Sequence, residues 1–291
     1  MYGKGEELVE NEGFVRLGGI VMVVLDAYEV VKSQSSSRGN QQKFYKDGTW
    51  IKLDHSRCHE GLTEDFVSRF CACIKGMSYV PYKSGMFMYH DEMYVGCSCP
   101  SMYWNKNIEF ITLRSLLRQY NKLISFVTHG EIKDNIRNTI LFIKESVGVD
   151  TWEYFARLIY LDSIILNEDR HIMNVGVCFD REQEKYLVAP CFDNGASLFC
   201  TNWTYRSSKT LDENIKSVLS CARPFSKFFM KQVDAFRDFG YEPLCISKSA
   251  VEELLETYEN KYYPTELVER TKKVLQLRLK SCEGVSFEWV M

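Results

Sequence analysis

The spacing of hydrophobic and polar positions changes character near residue 105. Before it, apolar residues come in short β-rich runs: VMVVLDAYEVV (21–31), QKFYKDGTWIKLD (42–54) and YVPYKSGMFMYHDEMYVGCSC (79–99). Asp47-Gly48 separates two such runs and predicts a tight hairpin, and a second hairpin is expected around Tyr89–Glu92. Between them, residues 60–75 read as one helix. Its apolar positions Leu62, Phe66, Val67, Phe70, Cys73 and Ile74 recur at steps of three and four. After residue 105 the periods are mainly helical, in ITLRSLLRQYNKLISFV (111–127) and EIKDNIRNTILFIKESV (131–147). Asp150 and Glu153 have the spacing of a capping box opening a helix that runs to about Leu166. Two strand-like runs, VGVCF and YLVAP, flank 180–185. Ser249 and Glu252 suggest another capping box, followed by a face of Val251, Leu254, Leu255 and Tyr258. A last helix is expected from about Pro264 to Lys280. The pattern predicts an α+β protein of two lobes: a small β-rich N-lobe with one helix (1–104) and a larger, mainly helical C-lobe (105–291). A ligand would sit in the crevice between them.

The length, 291 residues, allows one large domain or two modest lobes at about 150 residues each. Hydrophobic residues at 45% and charged residues at 26% are ordinary globular usage, which excludes a disordered or collagen-like chain. Lys+Arg 36 against Asp+Glu 39 gives a net charge of −3, so direct nucleic-acid binding is not expected. The longest apolar stretch, residues 18–25, is strand-length, so no membrane span is expected. The acidic N-terminal segment MYGKGEELVENEG has no apolar core of the signal-peptide kind. Eleven cysteines, an odd number without a C-x-x-C pair, read as reduced and mostly buried thiols of a cytoplasmic protein, with a secreted effector left open.

The segment that carries chemistry is Asn167-Glu168-Asp169-Arg170-His171-Ile172-Met173-Asn174, between an apolar helix and a strand. Nineteen residues on comes Asp193, in Pro190-Cys191-Phe192-Asp193-Asn194-Gly195. A helix–loop–strand–strand–loop path would bring Asp169, Asn174 and Asp193 to one mouth. Phosphoryl transfer from ATP asks for such groups: one carboxylate to orient the attacking hydroxyl, an amide oxygen and a second carboxylate to hold Mg²⁺. Lys52, in the strand Thr49-Trp50-Ile51-Lys52-Leu53, shares a face with Trp50 and is placed to contact the phosphates. The following helix offers Glu64, and one turn earlier Glu60, to orient that lysine; Glu64, inside the helix, is preferred. Upstream, Ser33-Gln34-Ser35-Ser36-Ser37-Arg38-Gly39-Asn40 forms a polar, small-residue loop whose backbone N–H groups could cradle phosphates, with Gly39 allowing close approach.

NEDRHIMN followed by FDNG, with SSSRGNQQK and WIKLD upstream, resembles the HipA-like serine/threonine protein kinases over about residues 28–240. The D-R-H-x-x-N form also resembles phosphatidylinositol-kinase-type catalytic loops. The resemblance implies a two-lobed protein-kinase-like fold and an ATP- and Mg²⁺-dependent kinase. It implies Asp169 as catalytic base, Asn174 and Asp193 as Mg²⁺ ligands and Lys52 as the phosphate lysine. It places the nucleotide under Ser36, Ser37, Arg38, Gly39 and Asn40, with His171 bracing the loop. It further implies self-phosphorylation at Ser35–Ser37, a protein Ser/Thr substrate and a possible antitoxin or regulator as partner. Two departures stand out. The kinase-like strands begin near residue 28, as in a shortened relative without the toxins' extra N-terminal subdomain, which puts an antitoxin contact of the HipB type in doubt. Asn194 stands where many kinases carry the Phe of D-F-G. A small-molecule or lipid kinase, and a nucleotide-binding pseudokinase acting as an interaction module, remain the alternatives.

Other signals are discounted. His55, Cys58 and His59 have zinc-like spacing but no further paired ligand. Cys71 and Cys73 fall on opposite sides of a helix, and Cys97 and Cys99 lack a matching pair. Arg270, Lys272, Lys273, Arg278 and Lys280 read as a solvated basic helix face.

Overall fold

The computed structural model describes residues 14–17, 20–31, 42–55, 58–102, 107–200, 205–218 and 224–290. The loop holding Ser35, Ser36, Ser37, Arg38, Gly39 and Asn40 lies outside the described residues, as do Ser56, Arg57 and Cys221. A seven-stranded sheet comprises β1 (Phe14–Leu17), β2 (Ile20–Val24), β3 (Glu29–Val31), β4 (Lys43–Lys46), β5 (Thr49–Leu53), β6 (Lys83–Tyr89) and β7 (Glu92–Pro100), in the order β1-β2-β6-β7-β5-β4-β3. Both expected hairpins are present: Asp47 and Gly48, at positive φ, turn β4 into β5, and His90 and Asp91 turn β6 into β7. The apolar run 21–31 divides. A turn after Leu25 sends β2 to pair in parallel with β6, while β3 pairs with β4 at the opposite edge. Helix α1 (Glu60–Ala72) lies between the two hairpins in sequence.

The rest of the chain is mainly helical: α2 (Leu113–Gln119), α3 (Ser125–Thr128), α4 (Ile132–Val147), α5 (Trp152–Ile165), α6 (Leu211–Ser217), α7 (Phe229–Asp238), α8 (Lys248–Thr257) and α9 (Thr265–Cys282). A three-stranded sheet, β10-β9-β8, is built from β8 (Ile108–Thr112), β9 (Gly176–Asp180) and β10 (Lys185–Val188). Strands β11 (Leu244–Ser247) and β12 (Phe287–Val290) pair in parallel.

Local chemistry explains where the elements depart from the sequence pattern. Residues 111–127 do not form one helix. Ile111 and Thr112 finish β8, the Thr112 hydroxyl caps α2 by accepting from Ser115 N, and left-handed Asn121 breaks the run. Thr151, not Asp150, occupies the N-cap of α5; the Asp150 carboxylate accepts from Trp152 N instead, at 3.1 Å. Ser247, not Ser249, caps α8. The basic C-terminal helix is only partly solvated. Arg278 is buried and donates to the Ser163 carbonyl at 2.7 Å, Arg270 donates to the Phe199 carbonyl, and Lys272 is buried as well.

One large core joins α1 to the helical part of the chain. Leu62, Phe66, Val67 and Phe70 of α1 are fully buried with Phe155, Ile159 and Ile164 of α5 and Val274 and Leu275 of α9. Each such side chain contributes roughly 1.5–3 kcal/mol. A smaller cluster, Leu25, Phe44, Ile51, Leu53 and Phe87, fills one side of the large sheet. Val80, Tyr82, Cys97, Cys99 and Phe192 form another, with Trp50 packed against it. The described cysteines are all free thiols, and all but Cys245 are buried. No helix among the described residues is long and apolar enough to cross a membrane.

Candidate active site

Strand alternation directs Ile51 and Leu53 into one core and leaves Lys52 on the Trp50 side. Lys52 is 8% exposed, on a strand flanked by β4 and β7. Its Nζ donates to Glu64 Oε1 at 2.8 Å and to Asp193 Oδ1 at 2.5 Å, and lies 3.4 Å from the Tyr82 hydroxyl. Three distant parts of the chain therefore meet on one ammonium. Burial alone would lower the lysine's pKa, but the Asp193 and Glu64 carboxylates hold it well above its usual value. Burial would likewise raise Asp193; Lys52, with Lys43 on the neighbouring strand, holds it well below the usual carboxylate range. Of the two expected glutamates, Glu64 makes the pair. Glu60, one turn earlier, packs against Gly195, where an added Cβ would come within 2.9 Å of the Glu60 Cβ. Burial raises the Glu60 pKa to about 8, with Asp193 adding to the shift.

The second oxygen of Glu64 accepts from Asn194 N at 2.8 Å. The helix carboxylate thus grips both the strand lysine and the backbone of the Asp193 loop. Asp193 itself is left-handed, at φ 58°. That conformation is less costly for Asp than for most residues. The preceding residues are fixed by the segment after α1: Cys191 N donates to Ser78 O at 2.8 Å, and Val80 N to Cys191 O at 2.9 Å.

Arg170 organises the other half of the site. It is 1% exposed. Its Nε and Nη2 each reach Asp162 of α5 at 3.0 Å, Nη1 donates to Phe192 O, and Nη2 donates to Asn194 Oδ1, the last two at 2.5 Å. The 167–174 segment is thereby tied to its own helix and to the Asp193 loop. Left-handed Leu166 ends α5 and turns the chain into that segment, where Glu168 N donates to Ala196 O at 2.9 Å.

Within the segment, Asn174 Nδ2 donates to the Asp169 carbonyl at 3.1 Å. Asp169 N donates to Asn167 Oδ1 at the same distance. His171 Nδ1 accepts from Met173 N at 3.3 Å, and its Nε2 lies 3.9 Å from Asp169 Oδ2. The donor set suits a hard divalent cation. Asn174 commits its amide nitrogen to the Asp169 carbonyl, and Asp193 commits Oδ1 to Lys52. An amide oxygen and a carboxylate oxygen are the ligand types Mg²⁺ takes, with phosphate supplying others.

Sequence reasoning missed the supporting roles of four residues. Arg170 and Asp162 carry no spacing signal, since they pair across a helix end. Tyr82 looked like an ordinary strand residue. Asp54, two residues after Lys52, accepts from Gly61 N and from the Tyr263 hydroxyl, both at 2.8 Å. Desolvation, the largest influence, raises its pKa to about 7.

No family model and no curated protein matches the chain. Among solved structures, it is similar to the Helicobacter pylori proinflammatory kinase CtkA, with a TM-score of 0.60 and 14% identity, covering 89% of this chain and 95% of that one. It is also similar to HipA of Shewanella oneidensis MR-1, determined as a toxin–antitoxin complex with HipB and operator DNA. There the TM-score is 0.50 and the identity 11%, over 87% of this chain and 67% of that one. At these identities the likeness is one of architecture, and the chain has the kinase-like α+β fold that these two structures share with it.

Proposed function

We propose that the protein is an ATP- and Mg²⁺-dependent kinase of the HipA-like type that phosphorylates Ser or Thr hydroxyls of a protein substrate. The observation that carries this reading is Lys52, buried and bonded at once to Glu64 and Asp193. A buried strand lysine held between a helix carboxylate and a loop carboxylate is poised to meet phosphate oxygens. In this reading Asp169 orients and accepts the proton of the attacking hydroxyl, and Asn174 and Asp193 hold Mg²⁺, which offsets charge on the transferring phosphoryl group. Lys52 binds the nucleotide phosphates, and Arg170 fixes the relation between the two loops. Catalysis of this kind is mainly positioning and electrostatics. The regions on either side of residue 105 act as one catalytic unit, since α1 shares its core with α5 and α9.

Self-phosphorylation at Ser35–Ser37 is part of the same proposal. It would add negative charge beside the phosphate site and weaken nucleotide binding. An antitoxin or regulator as partner belongs to the same proposal, by analogy with the HipB complex of the Shewanella protein. The test is incubation of purified protein with Mg-ATP and a proteome extract, comparing wild type with Asp169→Ala. Phosphoserine or phosphothreonine that depends on Asp169 supports the reading. Label found only on metabolites or lipids redirects it to those substrates, and no transfer by folded wild type overturns it.

A further inference from the structure

The pair Lys52–Glu64 depends on where α1 stands relative to β5. Two sets of hydrogen bonds, both from the connector between α8 and α9, bear on that placement. The first is centred on Asp54. This residue follows β5 and lies two positions from Lys52. Its Oδ1 accepts from Gly61 N in the first turn of α1, and its Oδ2 accepts from the Tyr263 hydroxyl, each at 2.8 Å. The N-cap residue His59 makes no side-chain cap bond, so Asp54 supplies an acceptor to that helix end from outside the helix. The approach is close: a Cβ on Gly61 would lie 2.5 Å from the Tyr263 hydroxyl oxygen and 2.6 Å from the Gly96 carbonyl carbon.

The second set is centred on Asp65, the residue after Glu64. Asp65 is 3% exposed and accepts from Ser84 of β6 at 2.7 Å, from Arg69 at 2.8 Å and from the Tyr258 hydroxyl at 3.4 Å. Asn260 Nδ2 donates to Ser84 Oγ at 2.6 Å and to the Tyr258 oxygen at 3.0 Å. A cavity of about 990 Å³ adjoins the second attachment and is lined by its four residues Asp65, Ser84, Tyr258 and Asn260 among others. Apolar contact accompanies these bonds: the Tyr258 ring meets Phe66 at 4.8 Å, and Tyr258 and Tyr263 share a core with Leu62 and Phe66 of α1. Apolar packing is non-directional, whereas hydrogen bonds fix direction.

The connector is itself anchored to the other half of the site. It leads into α9, whose Arg278 donates to the carbonyl of Ser163 in α5, next to Asp162, the partner of Arg170. A continuous path of bonds and packed helices therefore runs from the 167–174 segment through α5, α9 and the connector to both neighbours of the Lys52–Glu64 pair.

We propose that the 258–263 connector is a positioning clamp for α1: Tyr263 through Asp54, and Tyr258 with Asn260 through Asp65 and Ser84, set the register of Glu64 against Lys52. The clamp residues bond to Asp54, Asp65 and Ser84 rather than to Lys52 or Glu64; they are positioning residues. The inference rests on the kinase reading for its effect on turnover, but not for its effect on α1.

Hydrogen–deuterium exchange and steady-state kinetics on Tyr263→Phe and on the pair Tyr258→Phe/Asn260→Ala test it in the full-length protein. Tyr263→Phe keeps the ring and removes one hydroxyl. Loss of a hydrogen bond of ordinary strength predicts exchange about 3- to 10-fold faster in the first turns of α1, with α5 and α9 unchanged. It also predicts a KM for Mg-ATP raised by a similar factor, since Lys52 is then less well placed. A faster exchange confined to α1 together with a raised KM supports the clamp. Unchanged exchange in α1, or a rise spread equally over α5 and α9, overturns it. So does faster exchange in α1 with unaltered KM and kcat. If folded wild type transfers no phosphate, the kinase reading fails, and the exchange pattern alone decides the clamp.

Discussion

Arg170 and Asp162 form a buried ion pair in which the guanidinium meets both carboxylate oxygens at 3.0 Å, with side-chain exposures of 1% and 4%. The pair joins the residue after Asp169 to the helix beneath it, while the same guanidinium holds Phe192 O and Asn194 Oδ1. Removing one partner leaves the other charge buried without compensation, at a cost of about 3–5 kcal/mol. Arg170→Met should therefore lower the free energy of unfolding by about that amount, read by urea denaturation. Arg170→Lys should recover only part of it, because an ammonium cannot span both oxygens of Asp162 and also reach Asn194. Equal stability of wild type and Arg170→Met would remove Arg170 from its assigned place.

Lys52 is the group on which Glu64 and Asp193 converge. Lys52→Met keeps much of the side-chain volume and removes the ammonium. Phosphoryl transfer should fall by about 10²-fold or more, by analogy with the loss of one preorganised electrostatic contact. Asp193→Asn should lose comparable activity, since it removes both the proposed metal carboxylate and the partner that raises the lysine's pKa. Transfer assays beside circular dichroism separate these losses from unfolding. A Lys52→Met protein with full transfer would place the phosphate contact elsewhere.

Much of this site could be read from local order, and the remainder could not, for a physical reason. The hairpin at Asp47-Gly48 and the α1 stripe located Lys52 and Glu64, and the polar segment 167–174 between a helix and a strand, with its spacing to Asp193, singled out Asp169, Asn174 and Asp193. The preference for Glu64 over Glu60 followed from helix position, and the bond to Lys52 agrees. Arg170–Asp162 and Tyr263–Asp54 depend on tertiary placement, the latter across 209 positions of sequence, and no local pattern encodes them. The same holds for β11 and β12, whose pairing brings Leu244 beside Phe287. The C-terminal basic residues misled for a related reason: charge alone does not show that Arg278 turns inward to the Ser163 carbonyl.

Asp54 gives a pH signature. Its pKa rises from 3.8 in the reference state to about 7 in the fold, mainly through desolvation, with the Glu64 carboxylate adding to the rise and the Gly61 and Tyr263 donors opposing it. Between these values the folded state binds more protons than the unfolded one, so this group's contribution to stability falls as pH rises from about 4 to about 7, then levels. Asp54→Asn keeps an acceptor for Gly61 N and removes the titration. The melting temperature of wild type relative to Asp54→Asn should therefore decline as pH is raised across that window. A difference independent of pH would show that Asp54 does not titrate there.

Gly61 tests whether the seat of α1 is as tight as the distances imply. On propensity alone, Gly61→Ala should stabilise a helix by up to about 1 kcal/mol. Here the new methyl would meet the Tyr263 hydroxyl oxygen at 2.5 Å and the Gly96 carbonyl carbon and oxygen at 2.6 and 2.7 Å. Two of those atoms are backbone of β7, the strand beside Lys52, and cannot swing aside as a side-chain tip can. Gly96 has no room of its own, since a Cβ there would collide with the Lys52 carbonyl. Overpacking of this kind costs about 1–3 kcal/mol, which exceeds the propensity gain. Gly61→Ala should thus be destabilised in urea denaturation and should show a raised KM for Mg-ATP, because α1 must move away from β7 and take Glu64 with it. A stabilised Gly61→Ala protein with unchanged KM would mean that α1 relaxes without disturbing Glu64.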